Sequence, residues 1–123
     1  MTNHIKTFPD ANFPVGKFRA FVVDCIADDT SDDKIMIYVS LILVECKTQT
    51  AYSFEEAFEN NVNIPYSKEF FDFIDEAKIE WLQYEDLIGL TFNATISCGY
   101  KDGKAYPMLS NRELLATSVV VGE

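Results

Sequence analysis

The chain has 123 residues, of which 48% are apolar and 14% aromatic, so one domain with a hydrophobic core is expected and an intrinsically disordered acidic chain is excluded. Its formal charge of -10 at pH 7 excludes an indiscriminate phosphate-backbone or polybasic membrane-surface binder, because both need excess Lys and Arg. No apolar run reaches the ~18–20 residues of a membrane span, and residues 1–10 lack the apolar core of a signal peptide, so a cytoplasmic location away from membranes is expected.

Strand patterns dominate the first half of the chain. Residues 1–14 are polar and without periodicity, which predicts a flexible N-terminal arm. From Gly16 to Ile26, β-branched and aromatic residues alternate and predict a first strand. A polar turn follows, and residues 35–46, apolar on both faces, predict a central second strand. Residues 49–58 fit a third strand, although residues 55–59 fit a helix equally well.

An amphipathic helix is predicted over residues 67–81. Ser67 can cap its first turn, because a Ser oxygen accepts from the exposed amides there. Aromatic and aliphatic residues then recur at helical spacing and form a stripe that predicts core packing: Phe70, Phe73, Ile74, Ala77 and Trp81.

A hairpin is predicted after the helix. Residues 90–98 alternate between apolar and polar and predict a fourth strand. Asp102 and Gly103 predict a two-residue turn, because both of its positions need positive φ. Pro107 places the returning fifth strand at a sheet edge or a bulge. Residues 114–121 fit a short helix, a last strand or a tail.

Catalytic and metal-binding motifs are missing from the sequence. Cys25, Cys46 and Cys98 are too scattered for a zinc site and fit reduced thiols buried in strands. The lone histidine, His4, leaves no Ser-His or Cys-His nucleophile pair. The Asp-rich turn lacks the Gly and Glu that a calcium loop requires. We therefore expect no enzymatic activity, no catalytic residue, no metal and no cofactor.

The element order matches the OB-fold, a five-stranded Greek-key barrel with its helix between strands three and four. Four segments resemble phage and mobile-element proteins related to single-stranded DNA-binding proteins: FPVGKFRA at 13–20, the second strand at 35–46, LIGLTFNATI at 87–96 and GKAY at 103–106. The resemblance implies a mainly β domain over 15–115, with a C-terminal tail or extra strand over 116–123. It also implies a binding module for single-stranded nucleic acid.

Charge is unevenly distributed along the chain. Residues 24–86 carry 16 acidic and four basic side chains, net -12, whereas the remainder carries four acidic and six basic, net +2. We expect one basic zone formed by Lys17, Arg19, Lys101, Lys104 and Arg112. Positive groups beside aromatic faces suit single strands, on which bases stack. The candidate nucleic-acid-binding residues are Lys17, Arg19, Phe21, Tyr38, Tyr100, Lys101, Lys104 and Tyr106.

The acidic majority supports an alternative. Proteins of the resembled kind usually carry basic or aromatic residues between strands one and two, whereas this chain carries four aspartates there. An acidic domain could imitate nucleic acid and inhibit a host protein by binding its basic surface. The candidates are Asp28, Asp29, Asp32, Asp33, Glu55, Glu56 and Glu59. Pro107 and the apolar residues 119–121 mark an edge at which a second copy of the chain could pair.

Overall fold

Six strands and one helix make up the part of the chain that the computed structural model describes, residues 5–29 and 34–116. The elements are β1 (Ile5–Thr7), β2 (Gly16–Asp28), β3 (Met36–Glu45), β4 (Ala51–Glu59), α1 (Pro65–Glu76), a short 3-10 helix (Tyr84–Leu87), β5 (Thr91–Lys101) and β6 (Lys104–Ala116). They form one sheet in the order β1-β4-β3-β2-β5-β6. The mainly β class with one helix is thus confirmed, but the sheet is not closed into a barrel, because β4 and β6 are not paired among the described residues.

The central strand β2 organises the sheet. It pairs with β3 along its length, from Phe18 opposite Glu45 to Asp28 opposite Met36, and with β5 only over its first part. A bulge between Val22 and Asp24 interrupts the β2–β3 register. Bulges bend a strand and increase its twist. β2 therefore curls, and one sheet face encloses the core while the other faces outward.

Part of the expected arm is ordered in the sheet. β1 pairs in parallel with the start of β4, with Ile5 opposite Ala51. Phe8, just after β1, is buried, and its ring centroid lies 5.3 Å from that of Tyr52 and 5.2 Å from that of Phe54. A strand of three residues followed by one buried aromatic residue is too short to show a periodic pattern. The sequence pattern of residues 1–14 therefore could not reveal β1 or the burial of Phe8.

The helix is shorter than expected and begins differently. It ends at Glu76, and Trp81 lies beyond it, its ring centroid 6.5 Å from that of Phe71. Ser67 does not cap the helix: its side chain is buried, and its hydroxyl donates to the carbonyl oxygen of Glu59 at 2.6 Å. Tertiary contacts with β4 thus replace the expected local cap. The segment before the helix, for which the sequence left strand and helix open, forms strand β4.

The hairpin prediction is confirmed. Asp102 and Gly103 both have positive φ, 53° and 78°, and join β5 to β6. β6 is an edge strand, as Pro107 predicted, and it continues to Ala116. Of the tail or extra strand expected over 116–123, Ala116 is the last residue of β6, and residues 117–123 lie outside the described residues. Within the described ranges, no helix is long and apolar enough to span a membrane.

Candidate nucleic-acid interface

A cleft of about 570 Å³ lies where the sheet is open, between β4 and the β5–β6 hairpin. Lys34, which precedes β3, and Lys101, which ends β5, both line it. The rest of the lining combines apolar side chains with three carboxylates: Met36, Phe54, Glu55, Glu56, Ala57, Phe58, Glu59, Ile64, Tyr66, Tyr106, Pro107 and Met108. This volume lies within the ~300–1,000 Å³ typical of ligand pockets.

Five of the eight predicted nucleic-acid-binding residues lie in or beside this cleft. Lys101 and Tyr106 line it, and Lys104 and Tyr100 belong to the same hairpin. Tyr100 is 74% exposed, so its ring is available to solvent. Tyr38 pairs with the cleft residue Ala57 in the β3–β4 ladder and is half-buried. The hairpin therefore brings four of these aromatic and basic groups together, and Tyr38 lies one strand away from the cleft, on β3.

Gly99 sets the position of the Tyr106 ring. The two residues are cross-strand partners in the hairpin. A Cβ on Gly99 would lie 2.7 Å from Cζ of Tyr106 and 2.5 Å from Sδ of Met108, closer than real Cβ contacts. The ring therefore rests directly on the glycine backbone.

Gly99→Ala is expected to displace the Tyr106 ring. The single-strand affinity expected from the sequence should then fall by about tenfold, the order of one lost base stack. Fluorescence anisotropy with a labelled oligonucleotide measures this. Ser97→Ala, two residues earlier on the same face of β5, is the matched control and should leave affinity unchanged. Equal loss in both variants would contradict a specific role for the ring.

Lys17, Arg19 and Phe21 form a separate group. Lys17 and Arg19 line a shallow depression on the outer face of the sheet, opposite Thr95 and Asn93 of β5. Lys101 lies six positions after Thr95 along β5, a span of about 20 Å. Phe21 is half-buried in β2 opposite Ile42. The structure therefore divides the expected basic zone into two areas.

Arg112 belongs to neither basic area, because its side chain is fully buried. Its Nη2 lies 2.7 Å from Oε2 of Glu56 on β4, and its Nε donates to Oε1 of Glu69 on α1 at 3.0 Å. The guanidinium carbon lies 5.3 Å from the ring centroid of Phe70 and 5.4 Å from that of Phe92. The sequence does not predict this buried ion-pair cluster. Glu56 and Arg112 each lie among other polar residues of their strands, so the strand pattern does not mark either of them as buried.

The cluster joins β4, α1 and β6 where backbone pairing is missing. The Tyr66 hydroxyl donates a hydrogen bond to Glu56, and burial together with the Glu56 charge raises the pKa of Tyr66 above its ordinary value. Burial alone would lower the pKa of Arg112, but Glu56, Tyr66 and Glu69 raise it above its ordinary value. Arg112 is thus held as a cation and Tyr66 as a neutral hydrogen-bond donor.

The acidic candidates divide as well. Asp28 ends β2, Asp29 follows it exposed, and Asp32 and Asp33 lie outside the described residues. Glu55 is exposed and Glu59 half-buried, and both line the cleft. Glu56, in contrast, is only 3% exposed and paired with Arg112, so it is not part of an acidic surface.

The thiols also differ from expectation. Cys25 is buried, but Cys46 and Cys98 are exposed. Cys46 lies in the turn after β3, and Cys98 lies where β5 extends past the last buried residue, Ile96. The predicted alternation of inward and outward side chains in β5 therefore holds up to Ile96. Cys98 is exposed because β5 continues beyond the hydrophobic core.

Neither metal ligation nor homology assigns a function. Among residues 5–29 and 34–116, no group of three or more His, Cys, Asp or Glu side chains is placed to hold a metal ion. No protein-family model and no curated protein matches the chain.

Proposed function

We propose that this chain is a non-catalytic OB-like module that binds single-stranded nucleic acid in the DNA metabolism of a phage or mobile element. The support is the strand order: counted from β2, it is three-two-one-four-five, with α1 between strands three and four. The OB-fold is a partly open five-stranded Greek-key barrel. The open seam between β4 and β6 is compatible with a partly open barrel. β1 is a sixth strand in addition to the five of the OB-fold.

The position of the cleft carries the proposal. OB-folds bind oligonucleotides at strands two and three, between the loop joining strands one and two and the loop joining strands four and five. Here those strands are β3 and β4. The cleft is lined by Lys34 from the first loop, by β4, and by Lys101 beside the second.

The chemistry of the cleft suits a single strand. Tyr106 and Tyr100 offer rings on which bases could stack, each stack being worth about 1–3 kcal/mol. Lys34, Lys101 and Lys104 supply positive charge near the rim. Duplex DNA is disfavoured, because its dense phosphate charge would meet a protein of net charge -10.

Lys101→Ala/Lys104→Ala is expected to weaken binding about tenfold and to make the salt dependence of affinity shallower by about 1.4 in slope, since each lost phosphate contact removes ~0.7 for single strands. Lys17→Ala/Arg19→Ala removes the same charge from the separate depression and serves as the control. Anisotropy titrations of a mixed-sequence oligonucleotide at several salt concentrations measure both. A larger loss in the control would place the site on the outer face of β2, and no binding by the wild-type protein would refute the function.

A nucleic-acid mimic that binds a basic protein surface is the second candidate. It is favoured by Glu55 and Glu59, whose carboxylates have no hydrogen-bond or ion-pair partner among the described residues. Asp29 adds an exposed charge at the end of β2. This function requires that the wild-type protein fail to bind any single strand in the titration above.

A further inference from the structure

The edge of β4 presents backbone groups to the cleft. The Ser53 carbonyl accepts from the Phe8 amide at 3.0 Å, and the Glu59 carbonyl accepts from Ser67 at 2.6 Å, so both point away from β3. Backbone groups in an antiparallel strand alternate in direction. Glu55 and Ala57, at the same parity, therefore direct their amides and carbonyls away from β3, toward the gap that separates β4 from β6.

These groups have no strand partner. β1 pairs with β4 only up to Ser53, and β6 does not pair with β4 within the described residues. Strand-edge groups of this kind remain able to hydrogen-bond a ligand. The Glu55 side chain adds a carboxylate that is exposed and lines the same cleft.

The charges orient a bound strand. β4 contributes Glu55, Glu56 and Glu59 to the cleft, so its wall repels phosphate, whereas Lys34 and Lys101 attract it. Glu56 is already neutralised by Arg112, but Glu55 and Glu59 are not. The favourable orientation places bases against β4 and phosphates toward the lysines.

We propose that the β4 edge selects bases that carry an exocyclic amino group, cytosine above all, over thymine; this rests on the function proposed above. A carboxylate accepts from the N4 amino group of cytosine. Thymine presents the O4 acceptor at the same position, which a carboxylate repels. Glu55 is thus the specificity-determining residue, and the neighbouring backbone groups of Glu55 and Ala57 supply further donors and acceptors.

The test compares labelled oligo-dC and oligo-dT of equal length by fluorescence anisotropy at one salt concentration. Wild-type protein is expected to bind oligo-dC about tenfold more tightly, within the range of one good side chain–base pair. Glu55→Gln is expected to abolish the preference, because its amide donates to thymine O4 as readily as its oxygen accepts from cytosine. Glu76→Gln, at the exposed end of α1, removes the same charge outside the cleft. This variant should retain the preference for oligo-dC.

The outcomes are distinguishable. Equal binding of both oligomers, or a preference that persists in Glu55→Gln, overturns base selection by β4 and leaves single-strand binding intact. Failure to bind either oligomer refutes the proposed function itself. Equal melting temperatures of wild type and Glu55→Gln establish that any loss arises at the cleft rather than from unfolding.

Discussion

Arg112→Ala is expected to lower the free energy of unfolding by about 3–5 kcal/mol, the usual cost of removing one partner of a buried ion pair. The Glu56 carboxylate, with 1% of its side chain exposed, would then be left with the Tyr66 hydroxyl alone. The rings of Phe70 and Phe92 would also lose their contact with the guanidinium. Urea denaturation followed by circular dichroism measures the change.

Two controls isolate the role of burial. Lys68 and Asp72 form an ion pair just as short, 2.6 Å, but with side chains 61% and 46% exposed. Lys68→Ala is therefore expected to leave the free energy of unfolding essentially unchanged, because solvent screens an exposed pair. The double variant Arg112→Met/Glu56→Leu should recover part of the lost stability, because it removes the buried Glu56 charge. The recovery is incomplete because Glu69 loses its cation and the Tyr66 hydroxyl loses its acceptor. A loss below about 1 kcal/mol in Arg112→Ala would contradict the argument.

This cluster also accounts for how the sheet tolerates an open seam. Closed barrels remove unpaired edges by hydrogen-bonding their first and last strands. Here the link between β4 and β6 runs through the side chains of Glu56 and Arg112, reinforced from α1 by Tyr66 and Glu69. These side chains hold β4 and β6 together at one place along the seam and leave the rest of the gap open. The cleft lies in that open part. The stability of the fold and the shape of the candidate site thus depend on the same residues.

Local chemistry explains which elements could be predicted from the sequence. The turn at Asp102 and Gly103 depends only on the conformations those two residues allow, and the alternation from Leu90 to Ile96 depends only on strand geometry. The site was partly predictable for the same reason: Tyr100, Lys101, Lys104 and Tyr106 lie close together because one hairpin holds them.

Features that depend on distant contacts could not be predicted. β1 exists because Phe8 packs on residues more than forty positions away, and Ser67 is fixed by β4 rather than by its own helix. Counting charges placed Arg112 in a basic zone, whereas its partners on β4 and α1 bury it. The sequence pattern does not reveal the position of Lys34, because its place beside the cleft depends on how β3 and β4 meet the hairpin.

Alkaline pH is expected to destabilise the protein through Cys25. Burial, and then the charges of Asp24, Glu85 and Glu56, raises the pKa of this thiol from 9.0 to about 12. Between these values the unfolded chain releases the proton and the folded chain retains it, so stability is full below about pH 9 and falls as pH rises toward 12.

The loss attributable to Cys25 should reach about 3 kcal/mol by pH 11, measured as unfolding free energy from urea titrations under reducing conditions. Cys25→Ala is expected to start less stable at neutral pH but to show a flatter pH profile above pH 9. Tyr66, whose pKa is also raised by burial, adds a second loss above about pH 10 that Cys25→Ala retains and Tyr66→Phe removes. Parallel pH profiles for wild type and Cys25→Ala would show that the thiol has the same pKa in the folded and unfolded chain, and would overturn the assignment.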